Sequence, residues 1–355
     1  MAGTRSDLLG RLLSAHTTLQ VEAIMATLPI VPPESYQWDY GNKRLGKWKP
    51  EHLHWLPVGL ERGNGGRIKL AGEPTNPIAE RTINGMEALI ELARLSELLT
   101  NPKAVMPTSP REAVLRYFGF PRLDAIERME DEERKAMRER VNEVRRRLSI
   151  HLVHDRRSKQ FAVTIRDHGM GQIPARIHET LLSLGQSDKA DKPYLIGVFG
   201  QGGSSAFSVS EYSIIISRRA PAILKPGEGA GVGWSIVRAI QPKGRRDHYY
   251  AYLAASEDGA VPSMDAGAAD NAGFAQGAHF CHINYDFGGS ESAVTRLLYQ
   301  ALNHVLFNPI LPYELYAMKD KPEPMLGTAQ RLARQVRLLG RQAALDKSFA
   351  AQPVR

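Results

Sequence analysis

Glu80, Asn84, Glu87 and Glu91 recur at steps of four, three and four residues. On an α-helix, at about 100° per residue, they share one stripe. Ile83, Met86 and Ile90 lie to one side of it, and Ala88 and Leu95 to the other. Acids flanked on both sides by apolar residues do not make a plain surface helix. Burying a carboxylate is costly unless something pairs with it, and a bound cation or polar cavity would do so. A solvated acidic face on a half-exposed helix is the other reading. A second group, Asp167-His168-Gly169-Met170-Gly171, follows the alternating run Phe161–Arg166. A strand ending in an acid and then alternating glycines lets the backbone approach a planar ligand while the carboxylate meets its edge. Read alone, the same residues also make an ordinary turn. The third group, Gly197-Val198-Phe199-Gly200-Gln201-Gly202-Gly203-Ser204-Ser205, precedes small residues able to open a helix. Such a loop presents N–H groups to a phosphate, and a flexible linker is its alternative. It lacks the Gly-Lys-Ser/Thr end of a Walker loop and the third glycine of the dinucleotide fingerprint, where Ser205 stands.

These groups need elements to position them. Asn76 as N-cap and Pro77 at the first helical position predict a helix running to about Leu99. Ahead of it, an amphipathic helix from Asp7 to about Leu28 gives way to a turn-rich stretch through Pro50. Strands Trp55–Leu60 and Arg67–Leu70 flank Glu61–Gly66, whose Asn64-Gly65 reads as a hairpin turn. A charge-dense helix is expected from Arg122 to Arg147. Strands are expected at Phe161–Arg166, Tyr212–Ser217, Trp234–Ile240, Tyr249–Ala254 and Ala278–Tyr285, with loops at Pro221–Gly233 and Ala260–Gly277. Helices Glu291–Leu306 and Thr328–Leu345 close the chain. This mixture indicates an α/β sandwich.

In this order, Glu-x-x-x-Asn on a helix, Asp-x-Gly-x-Gly after a strand and Gly-x-x-Gly-x-Gly before a helix and strand resemble the GHKL ATPase superfamily. That group takes in gyrase, heat-shock chaperone ATPases, histidine kinases and MutL, all with the Bergerat nucleotide-binding fold. The run from Ile196 through Phe207 to Ser217 looks closest to the heat-shock chaperone and microrchidia branches, and the likeness spans about Trp55 to Tyr285. The resemblance implies a two-layer sandwich, a mixed sheet covered by helices, in residues 51–287. Residues 1–50 would be an N-terminal helical extension and 288–355 a C-terminal helical segment. It also implies roles. Glu80 would be the general base that activates water, and Asn84 the ligand to Mg²⁺. Asp167 would accept a hydrogen bond from the adenine amino group of ATP, with Gly169 and Gly171 passing close to the base. Gly197, Gly200, Gln201 and Gly202 would form the phosphate-side hinge of a lid over about Gln172–Ile196. Lys189 and Lys192, within that lid, are candidates to touch the terminal phosphate, the other reading being ordinary solvated lysines in a loop. The activity implied is Mg²⁺-dependent ATP hydrolysis that drives lid closure and homodimerisation. Alternatives are a nucleotide-gated binding or sensing module with little hydrolysis, and a protein kinase of the same superfamily. Two departures stand out: Gly277-Ala278 replaces the Gly-Thr pair many relatives carry, and Glu87 stands where Asp is common.

Composition narrows the setting. The 355 residues are 43% hydrophobic and 24% charged, and no apolar run approaches the roughly 18–20 residues that cross a bilayer. One cysteine, Cys281, excludes a disulfide framework within the chain. A cytoplasmic protein without membrane association is the expectation. The net charge is +8, and the segment from Lys321 holds seven bases and two acids, a net +5. Its helix carries Arg331, Arg334, Arg337 and Arg341 on one side and Leu332, Val336 and Leu339 on the other. Such a helix either offers its basic face to nucleic acid or a protein partner, or docks by its leucines and leaves the arginines solvated.

Overall fold

The computed structural model describes residues 3–38, 44–68, 73–184, 191–196, 202–244, 246–289 and 291–343. They begin with helices α1 (Gly3–Ser14) and α2 (Thr18–Met25), the strand pair β1 (Tyr36–Trp38) and β2 (Arg44–Gly46), then β3 (His54–Pro57) and the helical turn α3 (Asn64–Arg67). Three helices follow: α4 (Asn76–Thr100), α5 (Pro110–Phe118) and α6 (Asp131–Arg145). Next come β4 (Leu148–Asp155), β5 (Gln160–Asp167), the turn α7 (Ile177–Thr180), β6 (Tyr212–Arg218), β7 (Val232–Ile240) and β8 (Tyr249–Ala254). The rest is β9 (Ser263–Met264), α8 (Ala266–Asn271), β10 (Gly277–Ile283), α9 (Val294–Val305), β11 (Tyr313–Ala317), β12 (Glu323–Met325) and α10 (Thr328–Ala343).

Ten strands form one mixed sheet in the order β12-β11-β4-β5-β10-β6-β7-β8-β3, with β9 paired to β7. All pairings are antiparallel except β11 with β4. The expected α/β class therefore holds. Alternation decides which face each strand presents. Leu148, Ile150, Leu152, Val163 and Ile165 point to the side covered by α4, α5, α6 and α9. Ile214, Ile216, Trp234, Ile236 and Cys281 point to the other, where α1, α2 and α8 pack. The N-terminal extension is thus part of the core: Leu9 and Leu12 are fully buried.

Several expected elements change. The single N-terminal helix is two, because Thr17 and Gln20 form a reciprocal capping box that starts α2. Thr75, not Asn76, occupies the N-cap of α4. The hairpin at Asn64-Gly65 does not form, since Asn64 to Arg67 is a helical turn and β3 pairs with β8. Asn64 is buried there. Its amide donates to the carbonyls of Val58 and Tyr250 and accepts from the Tyr250 N–H, so it replaces a piece of sheet ladder. Part of the expected strand Arg67–Leu70, residues 69 and 70, lies outside the described residues. The charge-dense helix divides into a 3₁₀ turn, Ala125–Arg128, and α6. Short elements, β9 and α8, occupy the second expected loop. The C-terminal segment is not wholly helical: β11 and β12 extend the sheet beyond β4.

Candidate functional site

A cleft of about 300 Å³ lies between α4 and the sheet face of β5, β10 and β6, at the small end of the roughly 300–1,000 Å³ usual for ligand pockets. Gly85 lets α4 lie this close, since a Cβ there would come within 2.6 Å of Leu148 Cδ1. Asp167 ends β5 between Leu148 on β4 and Ala278 on β10. Its carboxyl is buried, and the Gly169 N–H donates to Oδ1 at 2.9 Å. Burial pushes this carboxyl up to about 7, against the backbone N–H groups of Gly169 and Ala278 and the charge of Arg166. The following turn is fixed from both sides: Met170 N–H donates to Ala88 O at 3.0 Å, and Ala220 N–H to Met170 O at 2.8 Å. Gly169 packs on Ala88. Gly171 has φ +58° and a Cβ there would strike the Arg218 carbonyl, so only glycine fits.

Along α4 the acids part company. Glu80 is exposed and is not in the cleft wall, whereas Asn84, one turn later, is half-buried and lines it. Glu87 and Glu91 are buried, as the apolar flanks suggest, and both bind the segment 191–196. Glu87 Oε1 accepts from Ile196 N–H at 2.7 Å. Glu91 accepts from Lys192 Nζ at 2.6 Å and from the Tyr194 hydroxyl at 2.8 Å. Burial, with the Glu91 carboxylate, raises the Tyr194 hydroxyl well above its ordinary range. Residues 191–196, the end of the span expected to form a lid, are thus strapped to the acid stripe, and Lys192 reaches the cleft through Glu91.

The helix expected after the glycine-rich run is a 3₁₀ helix, Gly202–Val209, and Gly203 and Ser204 join the cleft wall. Lys189, Gly197, Gly200 and Gln201 lie outside the described residues. His168 is half-buried and outside the cleft wall, with its carbonyl accepting from Gln276 Nε2. The cleft therefore collects Asn84, Asp167, Gly171 and Lys192 from the expected set. Among the described residues no group of three or more His, Cys, Asp or Glu could hold a metal ion. Asn84 offers one neutral oxygen, which suits a hard cation when a ligand's own oxygens complete the shell.

Ser217 and Arg81 are polar wall residues outside the expected set. Ser217 on β6 stands directly opposite Ala278, donates to Gly277 O at 3.0 Å and accepts from Gln172 N–H at 2.9 Å. It puts a hydroxyl beside the position where Ala278 lacks one, and strand alternation from Ile215 would have located it. Arg81 is the other. At three residues before Asn84 it lies about 60° from it around the helix, close enough for both to face the cleft. No protein-family model matches the chain, and no curated protein shows significant similarity to it.

Proposed function

We propose that the chain binds ATP in this cleft and hydrolyses it in a Bergerat-type domain of the GHKL kind, as a switch or clamp acting on protein or nucleic acid. The observation that carries the reading is the buried Asp167 carboxyl on the cleft floor, with Asn84 on the helix above, the Gly169-Met170-Gly171 turn beside it and Gly203 in the same wall. A carboxylate in a dry site is expensive, and an exocyclic amino group hydrogen-bonding to it offsets that expense while selecting adenine over guanine. Asn84 would hold Mg²⁺, which neutralises charge on the phosphates. Water would attack the terminal phosphorus as its bond to the ADP oxygen breaks, with the Glu80 carboxylate taking the water's proton. Nucleotide phosphates would compete with Glu91 for Lys192 and so loosen the strap on residues 191–196. Closure of that segment over the nucleotide would build the surface for homodimerisation.

The exposed position of Glu80 favours a second reading, a nucleotide-gated module with little turnover. Steady-state ATP hydrolysis and equilibrium binding separate the two. Hydrolysis predicts magnesium-dependent turnover that falls at least 100-fold in Glu80→Ala with ATP binding retained. Binding with no turnover in the unaltered protein would favour the gated module. Binding of neither ATP nor ADP would refute both.

A further inference from the structure

Four arginines among the described residues are buried: Arg81, Arg94, Arg134 and Arg218. A buried guanidinium carries five donors and a charge, and both ordinarily find partners. Three of the four do. Arg94 donates to Glu97 and to the carbonyls of Ala104 and Val105. Arg134 pairs with Asp131 and donates to Met129 O. Arg218 pairs with Asp270 and donates to the carbonyls of Ala230 and Phe274.

Arg81 differs. It is 6% exposed, yet its side chain makes no hydrogen bond or ion pair with any described residue, and its buried Nε has no partner. The guanidinium lies 4.1 Å over the Phe280 ring and lines the cleft. Gly203 lies against it so closely that a Cβ there would sit 2.6 Å from Cζ. The nearest acid in sequence, Glu80, is exposed and touches it only through its field. Below it, the buried His282 ring spends Nδ1 on the Ser213 hydroxyl and is held neutral by burial and by the charge of Arg81, so no anion comes from that side. Burial pushes the guanidinium down to about 10, so it remains charged at neutral pH.

We propose that Arg81 is a phosphate-binding residue, whose guanidinium takes an oxygen anion of a di- or triphosphate at the Gly203 end of the cleft. Asp167 contacts the helix at Gly85 and Arg81 lies one turn nearer its N-terminus, so a ligand with its base on Asp167 directs its phosphates toward Arg81. The aromatic face of Phe280 orients the fork, and Gly203 leaves room for the anion's backbone contacts. This assignment rests on the nucleotide reading for its orientation, but the anion site itself can be tested apart from adenine.

The experiment uses the full chain with Arg81→Met, which keeps side-chain length over Phe280, and Arg81→Lys, which keeps the charge. Titrations follow ATP, adenosine and inorganic tripolyphosphate. Charge-assisted hydrogen bonds to a buried cation predict that Arg81→Met weakens ATP and tripolyphosphate by about 10- to 100-fold. Adenosine should stay within about twofold, and Arg81→Lys should recover part of the loss. Arg81→Met should also be at least as stable as the parent without ligand, because it removes a buried charge with no counter-ion. Equal losses for ATP and adenosine, or no loss for either polyphosphate ligand, would overturn the assignment. If the parent chain binds tripolyphosphate through Arg81 but neither ATP nor adenosine, the anion site stands and the adenine reading fails. If it binds none of the three, Arg81 is not a phosphate ligand.

Discussion

Asp167→Asn isolates the cost of the cleft's central acid. The substitution keeps the shape of the side chain and an oxygen to accept the Gly169 N–H, and removes only the ability to ionise. In the folded chain the carboxyl titrates near 7, against an ordinary value of 3.8, because burial disfavours its charge. A group raised in this way holds its proton longer in the folded than in the unfolded state, so its cost to the fold grows as pH rises from about 4 to about 7 and is constant above that. At about 1.4 kcal/mol per tenfold change, the cost is roughly 2 kcal/mol at pH 5.5 and roughly 4 kcal/mol at pH 8.5. Asparagine carries none of that dependence. Urea unfolding followed by tryptophan fluorescence at both pH values, without nucleotide and at fixed salt, reads the difference. The stability of Asp167→Asn relative to the parent should grow by about 2 kcal/mol between pH 5.5 and 8.5, while ATP binding is lost. A gap that stays constant or narrows as pH rises would mean that the carboxyl is solvated, and the dry adenine site argued from it would fail. Destabilising residues kept at a ligand site are expected where function needs them.

Glu91→Gln removes the charge that holds Lys192, whose side chain is about one-third exposed, so the pair is partly screened. Amide hydrogen exchange of residues 191–196 should quicken by roughly 5- to 10-fold, equivalent to about 1 kcal/mol, and unchanged exchange would show that Glu87 alone straps the segment. Glu127→Gln tests the seat of α10. Burial raises this carboxyl, but hydrogen bonds from Arg138 and Gln330 and the arginine charges more than reverse that and hold it below its ordinary value. The neutral variant should lose about 2 kcal/mol and expose α10 to limited proteolysis. Because the carboxyl is lowered, the deficit should be present at neutral pH and shrink as pH falls toward 4. A deficit independent of pH would point to packing and not charge.

Local pattern carried much of the fold. Alternation at Phe161–Arg166 located β5, short strand-like runs located β6, β7, β8 and β10, and Pro77 located the start of α4, because each signal comes from a few adjacent residues. β4 was missed although it alternates buried and half-buried positions. Its outward face holds Ser149, His151 and Val153, and His151 stacks on Tyr316 of a strand far along the chain. β11 pairs in parallel with β4 and adds at the sheet's far side, so only tertiary context defines it. In the cleft, Asn84 and Asp167 could be read because helix and strand geometry aims them. The environment of Arg81 could not, since Phe280 and Gly203 lie some 200 and 120 residues away.

The basic C-terminal helix shows why an amphipathic pattern alone does not choose a docking face. Apolar burial argues for seating α10 by its leucines, at roughly 1.5–3 kcal/mol for each side chain fully buried. The chain does the opposite: Leu332, Val336 and Leu339 are 49%, 70% and 61% exposed. The seated side of α10 instead meets Glu127, whose side chain is 1% exposed. It is reached by Arg138 at 2.9 Å, Arg337 at 3.1 Å and Gln330 at 2.7 Å. The 3₁₀ turn at Ala125–Arg128 buries that carboxylate, and an uncompensated buried charge costs roughly 3–5 kcal/mol, so the donors from α10 add to the pairing that Arg138 begins. Arg331 adds a contact over the Tyr299 ring on α9. Part of the chain's excess positive charge is therefore spent inside the fold, and Arg337 is unavailable to a polyanion while Glu127 holds it. A nucleic-acid contact through α10 would have to use Arg334 and its neighbours on the solvent side, with the salt sensitivity of a few phosphate contacts at most.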